Sequence, residues 1–205
     1  DVVDQFVLTE CFSEDDTWER CLKLQAKYPT KLKLAREEWV THFTEISRLA
    51  NWTILQIDKD IDYVFELQSD EVVHEKHLEE LRNLPERMKT EGKTAARWKY
   101  LHFLGNPETI FSFCYSDLVR VVKRRCGWNV VGDGVQFSIG EHNIPESEVL
   151  TTNIEVYHYG KMKDPNKAWD KEWAFQQLFK DIGFPDPKMK EMLDLTRLKE
   201  NIFYI

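Results

Sequence analysis

The chain has 205 residues, 42% of them hydrophobic and 13% aromatic, which is enough apolar surface to close a core and is most simply a single domain. Its 28 Lys and Arg stand against 36 Asp and Glu, a net charge of −8, which argues against an extended nucleic-acid footprint and against a polybasic membrane anchor. No apolar run approaches the ~18–20 residues of a membrane span, and the N-terminus lacks the basic-then-apolar order of a signal peptide, so the chain reads as soluble.

In chain order, "QFVLTE" (Gln5 to Glu10) is rich enough in β-formers for a buried strand. In "CFSEDDTWERCLKLQAKY", Ser13 or Asp15 can cap a helix that runs to about Tyr28, where Pro29 stops it. "KLKLARE" (Lys31 to Glu37) alternates as a strand, and "FTEISRLANWTILQI" (Phe43 to Ile57) carries apolar residues at helical spacing. "YVFEL" closes the series as another buried strand. Strand, helix, strand, helix, strand is the alternation that builds a parallel sheet, and it predicts an α/β fold with a mainly parallel central sheet flanked by helices.

Further on, "HEKHLEELRNLPERMK" predicts a charged helix from about Lys76, broken near Pro85. Strands are expected at Ala95 to Gly105, Asp117 to Arg125 and Ile154 to Gly160, with a turn-rich segment "WNVVGDGVQFSIG" between the last two. "DPNKAWDKEWAFQQLFKDIGF" reads as an amphipathic helix that packs back through Trp169, Trp173 and Phe175. The four cysteines, Cys11, Cys21, Cys114 and Cys126, are scattered without a C-x-x-C pair, as expected of free thiols in a reducing compartment. Asn51-Trp52-Thr53 matches a glycosylation sequon, but it lies in a helical pattern.

The chemistry is expected where "YVFEL" ends in "QSDE". In open parallel sheets, ligands bind beyond the carboxyl ends of strands, and Glu10, Asp70 and Glu71 all hold that kind of position. Crowded carboxylates repel unless a cation sits among them, and hard divalent ions take oxygen ligands and bridge phosphates. The same pair also reads as the acidic start of the next helix, and pattern alone leaves both readings open. His74 and His77 lack a third zinc ligand nearby, and His158 in "VYHYG" is by default a core histidine. Asp133 in "GDG" is by default a turn residue, while Arg120, Lys123, Arg124 and Arg125 read as a solvated strand face. No Gly-rich phosphate loop and no G-x-S-x-G elbow occurs, which disfavours nicotinamide enzymes, P-loop NTPases and α/β-hydrolases.

Taken together, "FVLTECFSEDDTWE", "YVFELQSDEVVHE", "YLHFLG", "VVGDGVQF" and "VYHYGK", in that order, resemble a branch of the family 2 glycosyltransferases with the GT-A fold, over residues 1 to about 175. The resemblance implies a nucleotide-binding half (1–75), an acceptor-side half (76–175) and a C-terminal helical tail (176–205) within one domain. It implies transfer of a sugar from a nucleotide diphosphate, UDP-linked in the first instance, to a hydroxyl of a glycan or glycoprotein, with Mn²⁺ or Mg²⁺ as cofactor. Gln68-Ser69-Asp70 stands where the family has its acidic motif, with Gln for the first Asp, so Asp70 carries most of the metal contact. His158 matches a late histidine that completes the metal site. Ser69 belongs to the same motif, Glu71 stands beside the donor sugar, Glu10 and Asp15 are near the nucleoside, and Arg48 is near the diphosphate. Asp133 matches the acceptor-side acid, the natural general base.

The family opens with an additional strand and an Arg/Asn-bearing loop, whereas this chain opens at the next strand, and its apolar ending "ENIFYI" reads as a cut into a longer protein. Similar domains occur in large viruses of algae, where they decorate the capsid protein, and in bacterial surface-glycan enzymes, and the resemblance implies a cytoplasmic setting, that of the host if the chain is viral. Two other classes are weighed: a non-catalytic carbohydrate-binding domain using Trp98, Tyr100, Phe103 and Trp128 as stacking platforms, and a sugar nucleotidyltransferase, whose early Gly-rich basic loop is missing.

Overall fold

The computed structural model describes residues 2–40, 44–111, 115–140, 142–162 and 202–204. The chain divides into two compact units: 1–66, 79–96 and 119–150 form the first, and 67–78, 97–118 and 151–205 the second.

In the first unit, β1 (Phe6–Glu10) pairs in parallel with β2 (Leu32–Arg36), Phe6 opposite Leu32 and Glu10 opposite Arg36. Between them runs α1 (Thr17–Lys27), whose N-cap is Asp16, without a side-chain cap bond, and not the expected Ser13 or Asp15; Asp15 Oδ1 accepts from the Thr17 N–H at 3.0 Å. It ends at Tyr28 (φ −129°, ψ 56°), because a residue before proline is disfavoured in the α region. α2 (Glu45–Leu55) follows, with the Asn51 amide donating to Val130 O (2.7 Å) while its oxygen accepts from Val130 N (2.9 Å). The sequon asparagine is thereby engaged by backbone.

The mainly parallel central sheet expected from the sequence is not formed. After the one parallel pair, β3 (Tyr63–Phe65) pairs antiparallel with a later strand, and among the described residues the other registered pairings are antiparallel too. The reason lies in the connections. A parallel neighbour needs a long crossover, whereas the second half of the chain offers short turns with glycines at positive φ: Gly105 (71°), and Gly132 (62°) with Gly134 (87°).

After β4 (Glu71–Val73), a single 3₁₀ turn (Glu75–His77) leads into α3 (Leu78–Thr90). This helix continues through Pro85 rather than breaking there. A proline inside a helix costs about 3 kcal/mol. Leu81, Leu84 and Met88 form an i, i+3, i+7 stripe that is buried, and each such side chain is worth about 1.5–3 kcal/mol, so burial wins.

The remaining strands are β5 (Ala95–Leu104), β6 (Asn106–Phe111), β7 (Asp117–Lys123), β8 (Asn129–Val131), β9 (Gln136–Ile139), β10 (His142–Asn143), β11 (Val149–Lys161) and β12 (Ile202–Tyr204). In the first unit, β3 pairs with β7 (Tyr63 opposite Lys123), and β8, β9 and β10 form a three-stranded meander. Its core joins Ala95, Val122, Val130, Phe137, Ile144 and Val149. Arg120, expected on a solvated face, is fully buried. Its Nη1 lies 2.5 Å from Glu66 Oε2, and Glu66 N donates back to Arg120 O. Arg124 and Arg125 likewise donate to the backbone of Ile57, Asp58 and Lys59.

In the second unit the strand order is β12-β6-β5-β11-β4. β5 and β6 form a hairpin around Gly105, and Thr152, Ile154 and Val156 of β11 are buried at period two against exposed Thr151 and Asn153. The segment expected as an amphipathic helix with Trp169, Trp173 and Phe175 lies outside the described residues, as does Cys114. Ile202–Tyr204, placed by the sequence reading in a helical tail, is strand and pairs with β6. Among the described residues no helix is long and apolar enough to cross a membrane, and Cys11, Cys21 and Cys126 are free thiols.

Candidate functional site

The acids after β3 do not start a helix. Glu71 opens β4, which pairs antiparallel with β11 so that Glu71 faces His158, Val72 faces Tyr157 and Val73 faces Val156. The turn before it is tied at both ends: Glu71 N donates to Gln68 O (3.1 Å), Gln68 N donates to Glu71 Oε2 (3.0 Å), and Tyr159 N donates to Asp70 O (2.8 Å). Glu71 is 4% exposed and its other oxygen accepts from Tyr100 OH at 3.0 Å. That carboxylate holds the acidic turn in shape. Ser69 is exposed at its tip.

With its backbone held, Asp70 turns its carboxylate to His158. Asp70 Oδ2 lies 3.7 Å from His158 Nε2, with the two side chains 32% and 14% exposed. A Cβ on Gly160 would stand 2.7 Å from each of these atoms, closer than real Cβ contacts come, so only glycine leaves room for the two heads to meet. Behind them, His158 Nδ1 is 2.7 Å from His102 Nδ1, and His102 Nε2 is 2.8 Å from Tyr115 O. Tyr100, Tyr115 and both histidines pack as rings with centroids 4.6–6.5 Å apart. Burial presses the His102 ring down to about 4, against the raising effect of its bond to Tyr115, so it is neutral near pH 7.

The donor set fits a small divalent cation. A gap of 3.7 Å is within twice a ligand distance of about 2.1 Å, and a carboxylate with an imidazole suits an ion of intermediate softness such as Mn²⁺ better than Mg²⁺. Among the described residues no group of three or more His, Cys, Asp and Glu is arranged to hold a metal ion. Two protein ligands suffice where substrate phosphates and water supply the rest, which is how such ions commonly bind.

The other sequence candidates lie in the first unit. Glu10 is 3% exposed at the end of β1, where Ser13 N–H and Arg36 Nε (2.7 Å) donate to it. Burial raises its carboxyl, but those hydrogen bonds outweigh it and hold the group below its ordinary value. Arg36 is itself stacked between Phe12 and Trp18, at 4.0 and 4.5 Å from their rings. Asp15 is exposed and lowered by the bonds from Thr17. Arg48 donates to Glu45, to Glu37 (2.7 Å) and to Glu38 O (2.6 Å), so its guanidinium is raised further and already committed. Asp133 sits between the positive-φ glycines of the β8–β9 hairpin, half-buried.

His102 and Gly160 are not among the sequence candidates, and Tyr100 is named there only as a sugar-stacking platform. The signal for them was spacing by two: Tyr100 and His102 share one face of β5, and His158 and Gly160 one face of β11. The platform aromatics of the carbohydrate-binding reading are largely core, with Trp98, Tyr100 and Phe103 at most 5% exposed. Compared with known proteins, the chain matches no family model and no curated sequence.

Proposed function

We propose that this chain is a divalent-metal-dependent glycosyltransferase that moves a sugar from a nucleotide diphosphate, UDP-linked in the first instance, to a hydroxyl of a glycan or glycoprotein. The observation that carries the reading is the meeting of Asp70 and His158 above Gly160, at the end of the acidic turn whose motif order resembles the family 2 enzymes. The reading rests on this site and not on the sheet class, since one chemistry recurs on different folds.

In it, Asp70 and His158 would hold Mn²⁺, and Glu71 acts by fixing the turn. A cation there would neutralise the charge of the departing diphosphate. The general base that the resemblance assigns is Asp133, which would take the acceptor hydroxyl's proton as that oxygen bonds to the anomeric carbon and the bond from that carbon to the diphosphate oxygen breaks. Glu10, Asp15 and Arg48 belong to the nucleotide side, where Glu10 and Arg48 act through the loops they hold, because their charges are already engaged. Nucleotide-sugar donors and free thiols fit a cytoplasmic setting.

Calorimetric titration of UDP and a panel of UDP- and GDP-sugars, with and without Mn²⁺, tests the reading on the wild type and on Asp70→Ala. Binding of one nucleotide that needs Mn²⁺ and is lost in the variant is the expected result. Mn²⁺-independent binding, unchanged in Asp70→Ala, would remove Asp70 from the site. The carbohydrate-binding reading predicts instead glycan binding without nucleotide or metal.

A further inference from the structure

A histidine holds a cation only through a nitrogen that carries no proton, and the bond made by the other nitrogen decides which one that is. The chain of contacts behind His158 settles the choice. Tyr115 O is a carbonyl and only accepts, so His102 Nε2, 2.8 Å away, carries a hydrogen. The 2.7 Å contact between the two Nδ1 atoms needs one more proton. On His102 it would make that ring an imidazolium. The side chain is 3% exposed, so a charge on it would be buried away from water. The proton therefore belongs to His158 Nδ1, and in the neutral ring that cation binding requires, His158 Nε2, the atom facing Asp70, is the one with the lone pair.

We infer that His102 is a positioning residue: by accepting the Nδ1–H of His158 it holds that ring in the tautomer, and at the angle, that aims the bare Nε2 at Asp70 as the second metal ligand. The tautomer is a property of the chain itself, and only the ligand role rests on the proposed function. A solvated histidine prefers the opposite tautomer, protonated at Nε2, so the assignment has a distinct signature. Asp70 in the turn before β4, His158 on β11 and His102 on β5 thus share a task that the two ligating residues alone could not perform, because a freely turning imidazole would offer Asp70 either nitrogen.

The test is long-range proton–nitrogen correlation NMR on the full chain with ¹⁵N-labelled histidine at pH 8 without metal, signals being assigned from His158→Asn and His102→Asn. In the wild type His158 should show protonated Nδ1 and bare Nε2, and His102 the reverse. His102→Leu should return His158 to the Nε2–H form and weaken Mn²⁺ binding, read by paramagnetic resonance in the presence of UDP, at least tenfold. His102→Asn places an amide oxygen near the lost Nδ1 and should restore most of both. Mn²⁺ bound by a wild type whose His158 carries Nε2–H would overturn the inference and leave the proposed function standing. The stated tautomers in a chain that binds no Mn²⁺, with or without UDP, would overturn the metal reading and the ligand role of Nε2 with it.

Discussion

Asp70 and His158 meet head to head, Oδ2 to Nε2 at 3.7 Å, only because the residue beneath them has no side chain. Gly160→Ala therefore forces the pair apart or the strand to shift, at about 1–3 kcal/mol for the overpacking. The expected result is a chain that still folds, with a modestly lower melting temperature, and that binds Mn²⁺ at least tenfold more weakly. Metal titration alongside a thermal melt separates these two effects.

Glu66 and Arg120 form an ion pair in which the arginine has no exposed surface. Glu66→Gln leaves the buried charge without its carboxylate, and a loss of about 3 kcal/mol is expected in urea unfolding. Replacing both by apolar residues, Arg120→Met with Glu66→Leu, should recover most of that loss, because the desolvation penalty disappears together with the attraction. An equal or larger loss in the double variant would show that the pair's geometry, not its charge balance, dominates.

Pro85 removes one backbone hydrogen bond from the interior of α3. Pro85→Ala restores the donor and should raise stability by about 1–3 kcal/mol, less the entropy returned to the unfolded chain. Chemical denaturation at constant slope reads this directly.

Glu10 gives the acid limb of the stability curve. Its folded-state carboxyl is held below the ordinary 4.5, so the unfolded chain takes up the proton first as pH falls. The stability it contributes is present above about pH 5 and drains away as pH falls through the lower folded value. Glu10→Gln should lower stability at pH 7 and make the curve flatter between pH 5 and pH 3, measured by urea unfolding at several pH values.

Local elements were readable because their signals are local. The existence of α1 and its stop before Pro29, the alternation of β2 and the helical spacing of α2 all come from neighbours in sequence, although the N-cap falls at Asp16 and not at Ser13 or Asp15. Pairing was not readable: nothing in "YVF" distinguishes a parallel partner from β7, which lies some 55 residues further on, and the choice falls to turn geometry and packing. The same distance hid Arg120, whose partner Glu66 makes burial tolerable. Pro85 misled because its penalty is visible in sequence while the burial of Leu84 and Met88 is not. At the site, Asp70 and His158 could be named from motif order, yet their meeting point depends on Gly160 and on the hydrogen bonds to His102, which only the register of β4, β11 and β5 reveals.

The chain passes from one compact unit to the other after Glu66, Leu78, Ala96, Leu118 and Leu150. Neither unit is thus a continuous stretch of sequence, and no single cut releases one of them whole. Fragment expression, domain grafting and gene fusion at an internal boundary are closed as engineering routes. A chimera with another protein must take both units together, and a protease that nicks any one crossing divides at least one unit between the two fragments.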